Sequence, residues 1–398
     1  MSERFDVLFE GMPEEKALMY LRADPEKLDN PVDKYMAATK LAACHSERSL
    51  DGLIEAVGLN PENLINRITR RKALEALGRR KDKKSLPHLF NALCFDDEPS
   101  VINAIDSIAQ IGEPLTDEQC NQLIGAIDSS DAQKRCVIQA HTRLRLTTGR
   151  HRITALEQDE NPLVSGAACA YAAQVFGEVE KLTQVVQQLT DPIAGRRRSA
   201  VIDLGDAGDA SALQHLVSCP VSMPLRAKSA FHLADPKKTG VISEPHSLLL
   251  EQLLRDNPAN LALQPDWICE PSVSTIEKNL QHRDEGKQYG GALSLIRMQK
   301  PQQIEAIEKI QAKYWSDYGA NYLLTSIVGL ERVHEHSDLI RTALAETLPQ
   351  YTKSRVAAAW ACLSLNLSDQ TDLLREIQAE SKWIPLRWSC ERVLQQLS

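Results

Sequence analysis

The feature that most constrains this chain is a block of residues that returns 127 positions later. Arg70-Arg71-Lys72-Ala73-Leu74-Glu75-Ala76-Leu77-Gly78 is followed by Asp82 and by Leu86-Pro87-His88-Leu89. Arg197, Arg198, Ala200, Leu204, Gly205, Asp209, Leu213 and His215 then match Arg70, Arg71, Ala73, Leu77, Gly78, Asp82, Leu86 and His88 at that one offset. Small residues at the level of Ala73 also fall at Ala104, Cys136 and Ala168 before Ala200, in steps of 31, 32, 32 and 32. A period of that length means tandem supersecondary units, each burying its apolar face against its neighbours.

The apolar spacing within each unit is helical, and no convincing strand pattern appears. The expected fold is all-α: a curved, HEAT-like α-solenoid of stacked helical pairs. Read along its length, 1–398 is a single solenoid. It has a lead-in over 1–30, regular repeats over 31–233, an irregular Pro-rich insertion over 234–271 and further repeats over 272–398. In the insertion Pro236, Gly240, Pro245, Pro258, Pro265 and Pro271 interrupt the period around one helix near Ser247 to Asp256, as a longer excursion on one face of the array. Gly78 and Gly205 are expected to close helix ends in the left-handed conformation, and Asp82 and Asp209 to accept from backbone amides in the following turn. Ala73 and Ala200 mark close helix crossings. The basic stretch Thr147 to Arg152 reads as a looser joint.

A net charge of -8 argues against a general nucleic-acid binder. Nine scattered cysteines without a C-x-x-C pair read as reduced, mostly buried thiols of a cytoplasmic protein. There is no run of 18 apolar residues, so no membrane span is expected, and no signal peptide is read. The common nucleotide, zinc-protease and serine-hydrolase signatures are absent. His334-Glu335-His336 splays its imidazoles to different sides of a helix, so no metal site is expected there.

The informative cluster is aromatic. Tyr314, Trp315, Tyr318 and Tyr322 fall within nine residues, with Asp317 among them. The tyrosines, four apart, would line one helical stripe. Such rings suit a flat conjugated ligand, with hydroxyls and one carboxylate to orient it. Trp267 in the insertion is a further candidate wall. Arg197, Arg198, Arg226 and Lys228 are local basic groups in an acidic chain, fitted to carboxylates or to inter-repeat ion pairs.

Asn30-Pro31-Val32-Asp33-Lys34-Tyr35-Met36-Ala37-Ala38, Asn66 to Gly78, and Ser354-Arg355-Val356-Ala357-Ala358-Ala359-Trp360 resemble the E/F-type phycobilin lyases. The chain is similar along nearly its whole length to the large single-chain, phycoerythrin-specific members of marine cyanobacteria, lyase-isomerases among them. That resemblance implies an enzyme that binds a linear tetrapyrrole, phycoerythrobilin, as substrate, with no prosthetic group. It would present the bilin to a cysteine of a phycoerythrin alpha subunit, form a thioether, and in some members convert the bilin to phycourobilin. The acceptor cysteine then belongs to the partner, and the enzyme is expected to act as a monomer. The smaller two-subunit lyase-isomerases carry a His-Cys motif that is absent here; Cys44-His45 has the reverse order. Plain attachment without isomerisation, and a non-enzymatic scaffold or chaperone for phycobiliproteins, are the alternatives. Clustering selects Asp317 and Tyr318 as the acid/base pair. On the same ground Tyr314, Trp315, Tyr322 and Trp267 enclose the bilin, and Arg197, Arg198, Arg226 and Lys228 hold its propionates.

Overall fold

The computed structural model describes residue 9, residues 11–236 and residues 239–397. Residues 1–8 and 10 of the lead-in, and 237–238 of the insertion, lie outside them. The described residues form helices and turns, with no strand among them. The chain divides into two compact units, one running to Leu182 and one from Thr183.

In the first unit the long helices Val32–Leu41, Leu64–Arg80, Glu98–Ile111, Asp131–Leu144 and Pro162–Phe176 pack each on the next. Glu47–Val57, Leu86–Ala92 and Asp117–Gly125 make a second layer behind them. The fold is therefore the helical solenoid of stacked pairs that the period predicts. Its core is aliphatic and small: Ala73, Leu74, Leu77, Ala104, Ile105, Ile108, Val137 and Ala168 are all buried. Alanine at the crossing positions lets helix backbones approach closely.

Polar side chains near the starts of these helices recur for one physical reason. The last carbonyls of a helix lack intrahelical donors, and the next long helix supplies them. Lys34 Nζ donates to the Leu21 carbonyl at 2.7 Å, Gln133 to Ala126 at 2.8 Å, and Arg226 to Val217 at 3.0 Å and to the following loop at Val221 at 2.7 Å.

Two local expectations change and one holds. Gly78 and Gly205 lie inside the helices Leu64–Arg80 and Ala194–Ala207 and do not end them. A Cβ on Gly78 would sit 2.7 Å from Ser107 Cα, and one on Gly205 3.2 Å from Ser229 Cα. These glycines mark helix contact, while the left-handed caps fall at Lys81 and Gly208. The basic stretch at 147–152 is no loose joint: Gly149 turns the chain, the short helix Arg150–Thr154 follows, and Arg150 stacks over Phe176 at 3.8 Å. Asp82 and Asp209 do accept from backbone amides, of Lys84 at 2.9 Å and Ser211 at 3.1 Å.

In the second unit Ala194–Ala207 packs on Met223–Ala234, and Tyr318–Leu330 on Thr352–Ser364, which packs on Ile384–Leu397. The insertion's helix, Glu244–Arg255, does not ride on the surface. It contacts Met223–Ala234, Thr352–Ser364 and Ile384–Leu397, and Arg255 stacks on Trp360 at 4.5 Å. Residues far apart in sequence are thereby gathered around its carboxyl end, at Asp256.

Candidate functional site

The aromatic cluster does not form one helical stripe. The helix Lys300–Lys313 stops before Tyr314, and a new helix begins at Tyr318 with Asp317 as its cap. Asp317 breaks the run because its carboxylate accepts from the Gly319 and Ala320 amides, at 2.8 and 2.7 Å, satisfying two donors that an amino-terminal turn leaves open. The three tyrosines consequently part company. Tyr314 is half-buried, with its hydroxyl 3.4 Å from Glu277. Tyr318 is 56% exposed, whereas Tyr322 is only 4% exposed.

What is gathered instead is an exposed aromatic rim. Trp315 is 75% exposed. Tyr318 meets Tyr351 edge to face, with ring centroids 6.4 Å apart at 86°. The Tyr351 hydroxyl donates to the Ser316 carbonyl at 3.0 Å, tying the turn before Tyr318 to the turn before the Thr352–Ser364 helix. Exposed Leu348 lies three residues before Tyr351, whose amide donates to the Leu348 carbonyl at 3.0 Å. Burial, followed by the charges of Glu346 and Asp317, raises the Tyr351 phenol above its ordinary pKa. Trp315, Tyr318, Tyr351 and Leu348 offer apolar area with polar handles, and Asp317 adds a carboxylate.

Asp317 differs in one respect from its counterpart one helical pair earlier. Asp284, Gly286 and Tyr289 precede Asp317, Gly319 and Tyr322 by 33 residues each, and Asp284 likewise caps its helix, accepting from Gly286 at 2.7 Å. Asp284 is also engaged by Arg197. Asp317 makes no ion pair among the described residues, so an oxygen not used in capping is available.

Most of the remaining candidates belong to a buried framework. Arg197 is fully buried; it donates to the Asp191 carbonyl at 2.8 Å, pairs with Asp284 and lies 4.5 Å from the Trp267 ring centroid. Trp267 is itself buried against Gly286 and Gly290, where any Cβ would collide with it. Arg198 forks onto Glu285 at 2.8 and 2.7 Å, which raises the arginine's pKa. The same pattern holds 127 residues earlier, where Arg70 stacks on Phe95 at 4.1 Å and Arg71 forks onto Asp97. The twin arginines are a repeated structural device.

Arg226 is fully buried and pairs with Asp256. The other Asp256 oxygen accepts from the Tyr289 hydroxyl at 2.6 Å and from the Tyr322 hydroxyl. Burial disfavours the Arg226 cation, but Asp256 and the neighbouring tyrosines outweigh it and raise its pKa. Burial and then Asp256 raise both phenols well above their ordinary range. Lys228 stands exposed on the Met223–Ala234 helix.

The structure thus brings Asp317, Tyr318 and Trp315 together at the surface and places Trp267, Tyr322, Arg197 and Arg226 inside. Tyr351, Leu348, Asp256 and Tyr289 were missed by sequence reasoning. The 33-residue step was the available signal, because it carries Tyr318 to Tyr351 and Tyr289 to Tyr322. Among the described residues no cluster of His, Cys, Asp and Glu is arranged to hold a metal, and no helix is long and apolar enough to cross a membrane.

No protein-family model matches the chain. It is 28% identical over 367 residues to a protein of Pseudanabaena tenuis described as an uncharacterized phycocyanin operon protein Y, spanning 91% of this chain and 86% of that one. It is 22% identical over 366 residues to the bilin biosynthesis protein CpeY of a Synechococcus strain, spanning 90% and 87%. Over 159 residues it is 30% identical to the bilin biosynthesis protein PecE of a Nostoc species, spanning 39% and 62%. Among solved structures, the complex of CpcE and CpcF of phycocyanin lyase from Nostoc matches with a TM-score of 0.53 at 20% identity, over 61% of this chain and 94% of that one. That likeness is one of fold.

Proposed function

We propose that the chain, as a member of the E/F-type phycobilin lyase family, catalyses attachment of a bilin to a phycobiliprotein. The finer reading is a lyase-isomerase that attaches phycoerythrobilin to a phycoerythrin alpha subunit and delivers it as phycourobilin. The observation that carries the lyase reading is similarity along nine-tenths of the chain to a bilin biosynthesis protein.

In this reaction the partner's thiol adds across the ethylidene double bond of the bilin. Sulfur bonds to the exocyclic carbon, a proton goes to the ring carbon, and nothing leaves. The chain must hold the bilin in one conformation and deliver that proton. The rim of Trp315, Tyr318, Tyr351 and Leu348 supplies stacking area, with the Tyr318 phenol and the Asp317 carboxylate as its proton-handling groups. Moving the double bond to give phycourobilin needs one proton removed and one returned, which the same pair can serve. Of the basic candidates, exposed Lys228 is the outer group available to propionates, Arg198 being engaged by Glu285.

The chain's own thiols support an acceptor on the partner. Six of the nine cysteines are buried, and burial pushes Cys136, Cys219, Cys362 and Cys390 up to about 12. A thiol so protonated is a poor nucleophile near neutrality.

Co-expression with a phycoerythrin alpha subunit and a phycoerythrobilin-producing pathway tests this reading. A subunit carrying covalent phycourobilin is expected. Covalent phycoerythrobilin would mean attachment without isomerisation, and a colourless subunit would mean a scaffold or chaperone.

A further inference from the structure

We propose that Asp256 and Tyr322 are a positioning pair for the amino-terminal turn of the Tyr318–Leu330 helix, so that the Pro-rich insertion is a working part of the site. The inference rests on reading that turn as the bilin site.

Asp256 ends the inserted helix in the left-handed conformation, at φ 47° and ψ 49°, which aspartate tolerates better than most residues. Its side chain is buried, and everything around it is fixed. Arg226 holds one oxygen, and is itself held by the Val217 and Val221 carbonyls at 3.0 and 2.7 Å. Tyr289, from the Glu285–Ile296 helix, donates to the other oxygen at 2.6 Å. Asp256 is therefore an anchor before Tyr322 reaches it. A buried carboxylate with a paired cation and two phenol donors also has strong reasons to keep those donors in place.

Tyr322 stands one turn beyond Tyr318 and five residues beyond Asp317. Residues four apart on a helix share a face, so the tether at Tyr322 sets the rotation of the turn that presents Tyr318. Asp317 fixes the end of the same helix through its two amide contacts. A proton donor displaced by about 1 Å can lose much of its effect on rate. The repeat supplies an internal control. Tyr289 donates to the same Asp256 oxygen as Tyr322 but belongs to a helix whose first turn, Asp284 and Glu285, is occupied by Arg197 and Arg198. Removing either hydroxyl deletes a phenol contact to the same carboxylate oxygen, and at Tyr289 also the acceptor for Arg226 Nη2 at 3.3 Å; only Tyr322 lies on the helix of the rim.

The test compares Tyr322→Phe with Tyr289→Phe in the full chain, using phycoerythrobilin and a purified phycoerythrin alpha subunit. The phenyl ring keeps the packing, including the contact of Lys353 with the Tyr322 ring at 4.9 Å. Two quantities are read: the absorption band of phycoerythrobilin bound to the enzyme, and the attachment rate at saturating bilin. The expected result is an attachment rate about tenfold lower for Tyr322→Phe, with a shifted band, while Tyr289→Phe stays within about twofold and keeps the wild-type band. Equal effects from the two variants, or no effect from either, beside an active wild type overturn the positioning pair and leave the lyase reading standing. A wild type that neither binds nor attaches phycoerythrobilin overturns both.

Discussion

The guanidinium carbon of Arg197 lies 4.5 Å from the centroid of the Trp267 ring, while the same group is paired with Asp284. An aromatic face and a carboxylate together make burial of the cation tolerable. Trp267 in turn fills the groove left by Gly286 and Gly290, where a Cβ on Gly290 would lie 1.9 Å from the Trp267 carbonyl oxygen. Trp267→Ala should cost about 3–5 kcal/mol, the usual range for emptying a large buried aromatic site. Gly290→Ala should also destabilise, because the obstructing atom is backbone. Thermal unfolding followed by circular dichroism checks both; unchanged melting in either variant contradicts this packing.

Asp317 has two separable duties, and two substitutions part them. Asparagine retains an acceptor for the Gly319 and Ala320 amides, so Asp317→Asn should melt near wild type yet lose most bilin attachment. Asp317→Ala should lose attachment and also about 1 kcal/mol of stability with the cap. Attachment at the wild-type rate by Asp317→Asn removes the carboxylate from the chemistry.

Trp315 is exposed, so Trp315→Ala should change stability by no more than about 0.5 kcal/mol. If the ring stacks on the bilin, affinity should fall by about 1–2 kcal/mol, or roughly tenfold. A bilin titration followed by absorbance checks it, and an unchanged affinity takes Trp315 out of the site.

His141 gives a pH test independent of the site. It is fully buried, its Nδ1 donates to the Val137 carbonyl at 2.9 Å, and burial lowers its pKa from 6.5 to about 4. Below 6.5 the unfolded chain takes up a proton that the folded chain refuses, so stability falls as pH drops from 6.5 towards about 4 and this contribution then levels off. His141→Gln should flatten urea midpoints across that window. An unchanged slope means that other groups dominate.

Much of the fold could be read from the chain because the repeat is written in residues that touch. Ala73 and Ala200 are small at crossings, and Asp82 and Asp209 cap turns, each for a local reason. Gly78 and Gly205 were misjudged because a glycine near a helix end and a glycine under a neighbouring helix look alike in one dimension; Ser107 and Ser229 decide between them. The aromatic stripe failed for a related reason. Spacing by four is helical only if the helix continues, and Asp317 both interrupts it and starts the next. For Arg197 and Arg226 the sequence left ligand carboxylates and inter-repeat ion pairs both open, because their partners, Asp284 and Asp256, are 87 and 30 residues away.

Catalysis of bilin attachment can be followed in a purified system. The chain, phycoerythrobilin and an acceptor phycoerythrin alpha subunit are combined, and the bilin remaining on the subunit after acid-urea denaturation is followed with time. Chain-dependent accumulation of covalent bilin beyond one equivalent per enzyme is expected if the chain is a catalyst. Covalent bilin that never exceeds the amount formed without the chain would contradict it.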